Sequence, residues 1–322
     1  LPVLAARADP RPGLSGALLP PPVAPAAPPL PAPAPPAPTG SAAPLLRARA
    51  RGLPPAPRRL PAPGPPPLPR LSAHRSRRPG RAAGAARRAM GAPVERGGVA
   101  LVRASALRPV LEHYGRSQGE SGAAGGNDLG MDRYMAEGGR YRRRRYATFS
   151  LAAGEIVPKP HQPHYQSRDY NTLNGGVERW FEPVLPAVVE HPALHAIMRL
   201  VYQVATDLTP AERQPQSWHA EMHQFRIEAS PEHVGMPTPE GLHRDGVDWV
   251  CVAMIRRENI ACGETSIHDL NRRLVGSFTL TDPLDTAFVN DSRVYHGVTA
   301  VEPMDPTRPA YRDVLVLTLR HE

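Results

Sequence analysis

Between Trp218 and Leu319 the chain is cut into seven short β-type runs, with no helical stretch among them. They are His219 to Ile227, Trp249 to Ile255, Glu264 to His268, Ser277 to Thr281, Thr286 to Val289, Val294 to Val298 and Val314 to Leu319. Each is rich in β-branched or aromatic residues, and Pro, Gly, Asn or Asp stands in the gaps. Parallel strands need long crossovers, usually helical, and none is visible here, so an antiparallel sandwich or barrel is the arrangement left. Upstream the hydrophobic spacing changes. Glu182 to Leu208 carries Val184, Leu185, Val188, Leu194, Ile197, Met198, Val201 and Val204 at helical intervals and predicts one or two helices. Val99 to Tyr114 predicts another, broken by the glycines from Gly122 to Gly126. The class expected from the pattern is α+β, a helical N-terminal half against a β-rich C-terminal half.

Composition divides the 322 residues into two unlike polymers. Residues 1–89 hold 25 of the 42 prolines, 14 of the 39 basic residues, one acid and no Phe, Trp or Tyr, a net charge of 14 − 1 = +13. The remainder has 39 − 14 = 25 basic and 30 − 1 = 29 acidic residues, a net charge of −4. The basic character therefore belongs to the first segment, and it gives no reason to expect a nucleic-acid partner for the folded body. Residues 1–89 read as a disordered Pro/Ala/Arg-rich arm, or as upstream sequence outside the natural protein. The second reading is suggested by Met90, the first methionine, and by 38 arginines against one lysine, the mark of a GC-rich coding sequence. Residues 90–130 read as transitional and 131–322 as the main domain. The run Arg142 to Arg145 is expected at a solvated edge or in internal ion pairs. Two cysteines imply no disulfide framework, and no apolar run reaches the ~18 residues of a membrane span, so a soluble, cytoplasmic protein without membrane partners is expected.

The chemistry gathers around Glu240-Gly-Leu-His-Arg-Asp-Gly246. In an extended segment His243 and Asp245 point to one face, because strand side chains repeat every two residues. His296, on a late β run, supplies a third ligand. Two histidines and one carboxylate leave three positions open, which suits a non-heme Fe(II) centre, although the same set plus water would hold zinc. Arg312 shares a face with Val314, Val316 and Thr318. A buried arginine there calls for an anion, either a dicarboxylate ligand or an internal partner such as Asp313 or Asp291. Cys251 reads as a small apolar filler of the barrel interior, and His161 and His164 as members of a surface loop. His191, His195, His219 and His223 show no carboxylate in register.

His243-x-Asp245 with His296 and Arg312 resembles the iron and 2-oxoglutarate site of the Fe(II)/2-oxoglutarate-dependent oxygenases. The flanking words Pro239 to Gly246, Arg257 to Ile260, Gly263-Glu-Thr265, Pro283 to Thr286 and Tyr311 to Val316 are similar to the bacterial free amino acid hydroxylases typified by L-isoleucine 4-hydroxylase. Tyr170 to Gly176, Arg179 and the Tyr141 to Tyr146 run fit the same family, and the resemblance covers about Met131 to Leu319. Ala261-Cys262 departs from it where a glycine pair would be expected. The resemblance implies a double-stranded β-helix, a jelly-roll or cupin-like barrel with a helical N-terminal layer. It implies Fe(II) on His243, Asp245 and His296, and 2-oxoglutarate as cosubstrate with its distal carboxylate on Arg312. It also implies O2 as oxidant and a free aliphatic L-amino acid as the hydroxylated substrate.

Such a substrate needs a cation for its carboxylate and an acceptor for its ammonium group. Gln224 and Arg226 share one face of the strand ahead of the metal loop, and Arg226 with Glu240 is expected to serve, Glu264 being a second acceptor. Two other readings stay open at this point: a 2-oxoglutarate oxygenase on another small molecule, and a metal-dependent β-barrel enzyme that does not use 2-oxoglutarate.

Overall fold

The computed structural model describes residues 81–115, 128–135, 139–153 and 155–322. The expectation of a disordered arm lies, up to residue 80, outside the described residues. The chain opens with α1 (Arg81–Gly97), β1 (Val99–Val102) and α2 (Ala104–Gly115), then β2 (Gly130–Met131), β3 (Arg142–Ala152) and β4 (Glu155–Pro158). Two helices follow, α3 (Pro186–Val189) and α4 (Pro192–Leu208). The strands after them are β5 (Trp218–Ala229), β6 (Trp249–Glu258), β7 (Ile260–Cys262), β8 (Thr265–His268), β9 (Leu274–Phe278), β10 (Thr286–Asn290), β11 (Tyr295–Val298), β12 (Val301–Pro303) and β13 (Ala310–His321).

Every ladder between these strands is antiparallel. The large sheet runs β1-β10-β6-β13-β5-β3-β2, with β4 on β3, and faces the smaller sheets β11-β8-β9 and β12-β7. Two facing antiparallel sheets of this kind make the double-stranded β-helix.

One face of the large sheet carries the helices. In α4, Leu194, Ile197, Met198, Val201, Val204 and Ala205 form a buried stripe, and they meet Trp218, Ala220 and Met222 of β5 and Leu315, Leu317 and Leu319 of β13. The helix begins at Pro192, with His191 Nδ1 accepting from the Ala193 N–H at 3.2 Å, and stops at Thr209-Pro210. Alternation then sends His219, Glu221, His223, Phe225 and Ile227 of β5, and Arg312, Val314, Val316 and Thr318 of β13, to the opposite face, where the cavity lies.

Several elements differ from the sequence expectation. Val99–Val102 is a strand rather than the start of a helix, with Ala100 and Val102 buried in alternation. The break comes at Asp285, whose carboxylate accepts from the Ala104 N–H at 3.0 Å and from Arg103 Nη1 at 2.7 Å, capping α2. The same carboxylate accepts from the Thr281 and Asp282 N–H groups and bends the chain there, so the strand expected at Ser277 to Thr281 lies earlier, at β9. The border expected at residue 89 falls inside α1, where Ala83 and Ala86 are buried alongside Met90 and Val94. Residues 90–130 are not simply transitional either, because β1 pairs with β10 as an edge of the large sheet. Arg142 and Arg144 are buried on Asp132, at 2.7 Å each, so the arginine run is in large part an internal ion-pair device. Among the described residues no helix is long and apolar enough to cross a membrane.

Candidate active site

His243 and His296 form an isolated antiparallel bridge between the loop before β6 and strand β11, exchanging both backbone hydrogen bonds at 2.9 Å. Directly opposed residues on such a bridge project to the same side, and the two rings lie 4.5 Å apart. Asp245 follows two residues later. Its carboxylate sits 3.6 Å from His243 Nε2 and 3.4 Å from His296 Nε2, and the three donor atoms lie within 4.8 Å of one another. Gly246 turns the chain away at φ +80°, and a Cβ there would stand 2.5 Å from the Tyr170 ring. Asp291 fixes this turn, with Oδ1 accepting from the Asp245 N–H at 2.9 Å and Oδ2 from the Gly246 N–H at 2.8 Å.

The donor chemistry fits Fe(II). His243 Nδ1 donates to the Gly241 carbonyl at 3.0 Å, which leaves Nε2 free to bind a metal. Burial opposes charging of that ring, but Asp245 and Glu240 outweigh it and lift the His243 pKa to about 9. The group thus has a surplus of negative character that a cation would satisfy. Cys251 packs in the core under the helical layer rather than in the barrel interior, so it is not a ligand of this group, and burial pushes its thiol up to about 12.

Arg312 is 3% exposed, and its Nε and Nη1 have no hydrogen-bond partner among the described residues. Both internal partners weighed for it are engaged elsewhere: Asp313 binds Arg226, and Asp291 holds the metal loop. Burial and the charge of Arg257 lower the Arg312 pKa to about 10, still a cation at neutral pH. A buried guanidinium in this condition is complementary to a carboxylate that the described residues do not supply.

His243, Asp245, His296, Arg312 and Glu240 open into one cavity of about 410 Å³. Its far wall is a polar cluster that sequence reasoning missed. His164 Nδ1 hydrogen-bonds Glu221 Oε2 at 2.7 Å, His219 Nε2 lies 3.4 Å from Oε1, and His223 Nε2 lies 3.8 Å from Oε2. Glu221 is the in-register carboxylate that His219 and His223 were expected to lack; the alternation His219-x-Glu221-x-His223 was the available signal. His164, expected on the surface, is half-buried against it. Burial drives the His223 pKa down to about 3, so this ring is neutral.

The other expected substrate residues are placed differently. Gln224 and Arg226 do share a face, but it is the face opposite the cavity, set by the neighbours Ala220 and Met222 that pack under the helices. Arg226 pairs there with Asp313 through two 2.7 Å hydrogen bonds. Glu264 is exposed beside β8 and does not line the cavity. At the position where a glycine was expected, Cys262 adopts φ +59° and Gly263 +75°, so the loop keeps a left-handed shape without the glycine pair.

A double-stranded β-helix with two histidines and an aspartate converging beside an unpaired arginine has the frame and donor set of a non-heme iron oxygenase. The chain belongs to the 2OG-Fe dioxygenase family, whose profile matches residues 123–318, and is an enzyme that uses Fe(II), 2-oxoglutarate and O2. It is similar to the L-isoleucine-4-hydroxylase of Bacillus thuringiensis, 25% identical over 198 residues, covering 60% of this chain and 81% of the relative. The 3(1)-hydroxy-L-isoleucine 4-dioxygenase of Pantoea ananatis is 27% identical over 173 residues, covering 52% and 67%. Among solved structures, a bsmA homolog from Methylobium petroleophilum PM1 is 32% identical with a TM-score of 0.61, covering 74% of this chain and 93% of that one.

Proposed function

We propose that the enzyme hydroxylates a free aliphatic L-amino acid. His243, Asp245 and His296 hold Fe(II), and Arg312 receives the distal carboxylate of 2-oxoglutarate. When bound, the metal and cosubstrate supply the oxidising chemistry, converting 2-oxoglutarate to succinate and CO2 as one oxygen atom enters a C–H bond. The observation that carries the reading is Arg312, a buried cation with no anion paired to it among the described residues, in the same cavity as the three candidate metal donors. The two curated relatives, both named for isoleucine or a hydroxyisoleucine, support the substrate class.

The chain's own residues have defined tasks. Asp291 holds the Asp245 turn so that the carboxylate faces both imidazoles. Val250, Val252, Val314 and Val316 line the cavity with apolar surface and keep water from the reacting carbon. Glu240 stands 3.5 Å from His243 Nε2 with Oε2 unpartnered and offers an acceptor to an ammonium group. No nucleic-acid or membrane partner enters this reading. Reduced Cys251 and Cys262, together with a requirement for ferrous iron, suit the cytoplasm.

Succinate formation by the protein with Fe(II), ascorbate, 2-oxoglutarate and single amino acids tests it. Stimulation by aliphatic L-amino acids, lost in His243→Ala, is the expected result. Turnover of 2-oxoglutarate that no amino acid stimulates would move the substrate outside this class.

A further inference from the structure

The cavity contains a second buried arginine with an unpartnered nitrogen, Arg179, although Asp132, Glu240 and Glu221 lie near enough to favour its charge. Arg179 is 2% exposed and lines the cavity, and its Nε has no hydrogen-bond partner among the described residues. Its one side-chain hydrogen bond among the described residues is a long one, Nη2 to Gln166 Oε1 at 3.5 Å. No carboxylate lies within ion-pair distance of it among the described residues. Asp132, the acid that would neutralise this wall, is already held by Arg142 and Arg144. Gln166 also donates from Nε2 to the Asp245 carbonyl at 3.0 Å, which ties Arg179 to the Asp245 side of the metal group. Arg312 stands instead beside Arg257 and Gly263. Two buried guanidiniums with no carboxylate in ion-pair contact among the described residues leave room for two anionic groups, and the distal carboxylate of 2-oxoglutarate accounts for only one.

We propose that Arg179 is the anchor for the substrate α-carboxylate, with Glu240 taking the α-ammonium group. Glu240 has the complementary defect, a side chain 10% exposed with Oε2 unpartnered, facing the same cavity. A buried cation and a buried anion, each with an unpartnered atom and not bonded to one another, match the two ends of a zwitterion. Arg226 was the sequence's choice for the carboxylate, but its charge is engaged by Asp313 on the other face. The group His164, Glu221 and His223 also gathers donors that could hold a metal. Arg144 and Arg179 stand beside it, and both oppose a positive charge on His164. The inference rests on the amino-acid reading above.

The test is anaerobic calorimetry of the full chain loaded with Fe(II) and 2-oxoglutarate. The titrants are L-isoleucine, L-leucine, 2-methylbutylamine (isoleucine without its carboxylate) and 3-methylpentanoate (isoleucine without its amine). The wild type binds an amino acid and prefers it to the amine. Arg179→Gln weakens amino acid binding by about 30- to 100-fold, the scale of a lost charge-assisted bidentate contact, and erases the preference over the amine. Glu240→Gln erases the preference over 3-methylpentanoate. Affinity for 2-oxoglutarate, measured in the same variants, shifts by less than about threefold, since that ligand meets Arg312. If Arg179→Gln does not fold, Arg179→Lys is read instead and narrows the acid-over-amine preference by about tenfold. An Arg179 variant that keeps the wild-type preference, or loses amino acid and amine affinity equally, overturns the anchor while leaving the amino-acid reading intact. A wild type that binds no free amino acid overturns that reading and the anchor with it.

Discussion

His243 and His296 exchange both of their backbone hydrogen bonds, N–H to carbonyl at 2.9 Å in each direction, although 53 positions separate them (296 − 243). The bridge sets the spacing of the two imidazoles by main-chain geometry, before any metal is present. Asp245 lies in the loop before β6 and depends on Asp291, which accepts from its N–H. Two of the three donors are therefore set by the fold, and the third is held by one buried carboxylate.

Asp291→Ala removes the acceptor for the Asp245 and Gly246 N–H groups. Metal affinity is expected to fall by about 10- to 100-fold, the usual cost of losing an outer support of a metal ligand, while far-ultraviolet circular dichroism stays native. Anaerobic Fe(II) titration checks it; undiminished affinity would show that the turn holds itself.

Arg312→Met replaces an unpaired buried cation by an apolar side chain of similar length. The ligand-free protein is expected to melt at the same temperature or higher, and the stabilisation given by 2-oxoglutarate to vanish. Thermal scans with and without the cosubstrate measure both. A persisting shift would place the distal carboxylate elsewhere.

Arg226→Ala breaks a largely buried pair with Asp313 on the helix-side face and is expected to cost about 3–5 kcal/mol of stability, as for a buried pair left with one partner. The KM for the amino acid should stay within about twofold, because Arg226 does not line the cavity. A large KM increase at unchanged stability would return Arg226 to the substrate.

Asp132 gives a pH signature. Burial alone would raise its pKa, but Arg144 and Arg142 overcome this and hold it below the usual 3.8. A carboxyl with a depressed folded pKa contributes stability that is complete above about pH 3.8 and is lost as pH falls through the lower folded value. Urea melts between pH 5 and 2 should show this loss, and Asp132→Asn should abolish it. The same substitution at pH 7 leaves two buried guanidiniums uncompensated and should cost about 3–5 kcal/mol.

The parts of this enzyme legible in its sequence are those that a single period or spacing controls. Alternation exposed β5, β6 and β13, and His243-x-Asp245 announced a shared face. What alternation cannot say is which of two faces is the inside. Gln224 and Arg226 were grouped correctly with one another and assigned to the wrong side, because His219, Glu221 and His223 look as polar as a solvent face and are in fact the cavity wall. Asp285 shows a second limit. Its carboxylate ends one element and starts another 181 positions away at Ala104, and no local window contains both. Arg179 was visible as part of a familiar word, but only the folded contacts show that its Nε is unpartnered and that no carboxylate reaches it within ion-pair distance among the described residues.

The helix α1 passes through the point where the chain's composition changes, with Ala83 and Ala86 buried on one side of that point and Met90 and Val94 on the other. Compositional and folding borders therefore do not coincide. Cutting the gene at Met90 would halve this helix, leaving only Met90–Gly97, a length that is marginal on its own in water, and would strip two alanines from the layer beneath α4. A recombinant form designed to shed the proline-rich part should begin ahead of Arg81, so that the whole rod folds with the barrel it covers.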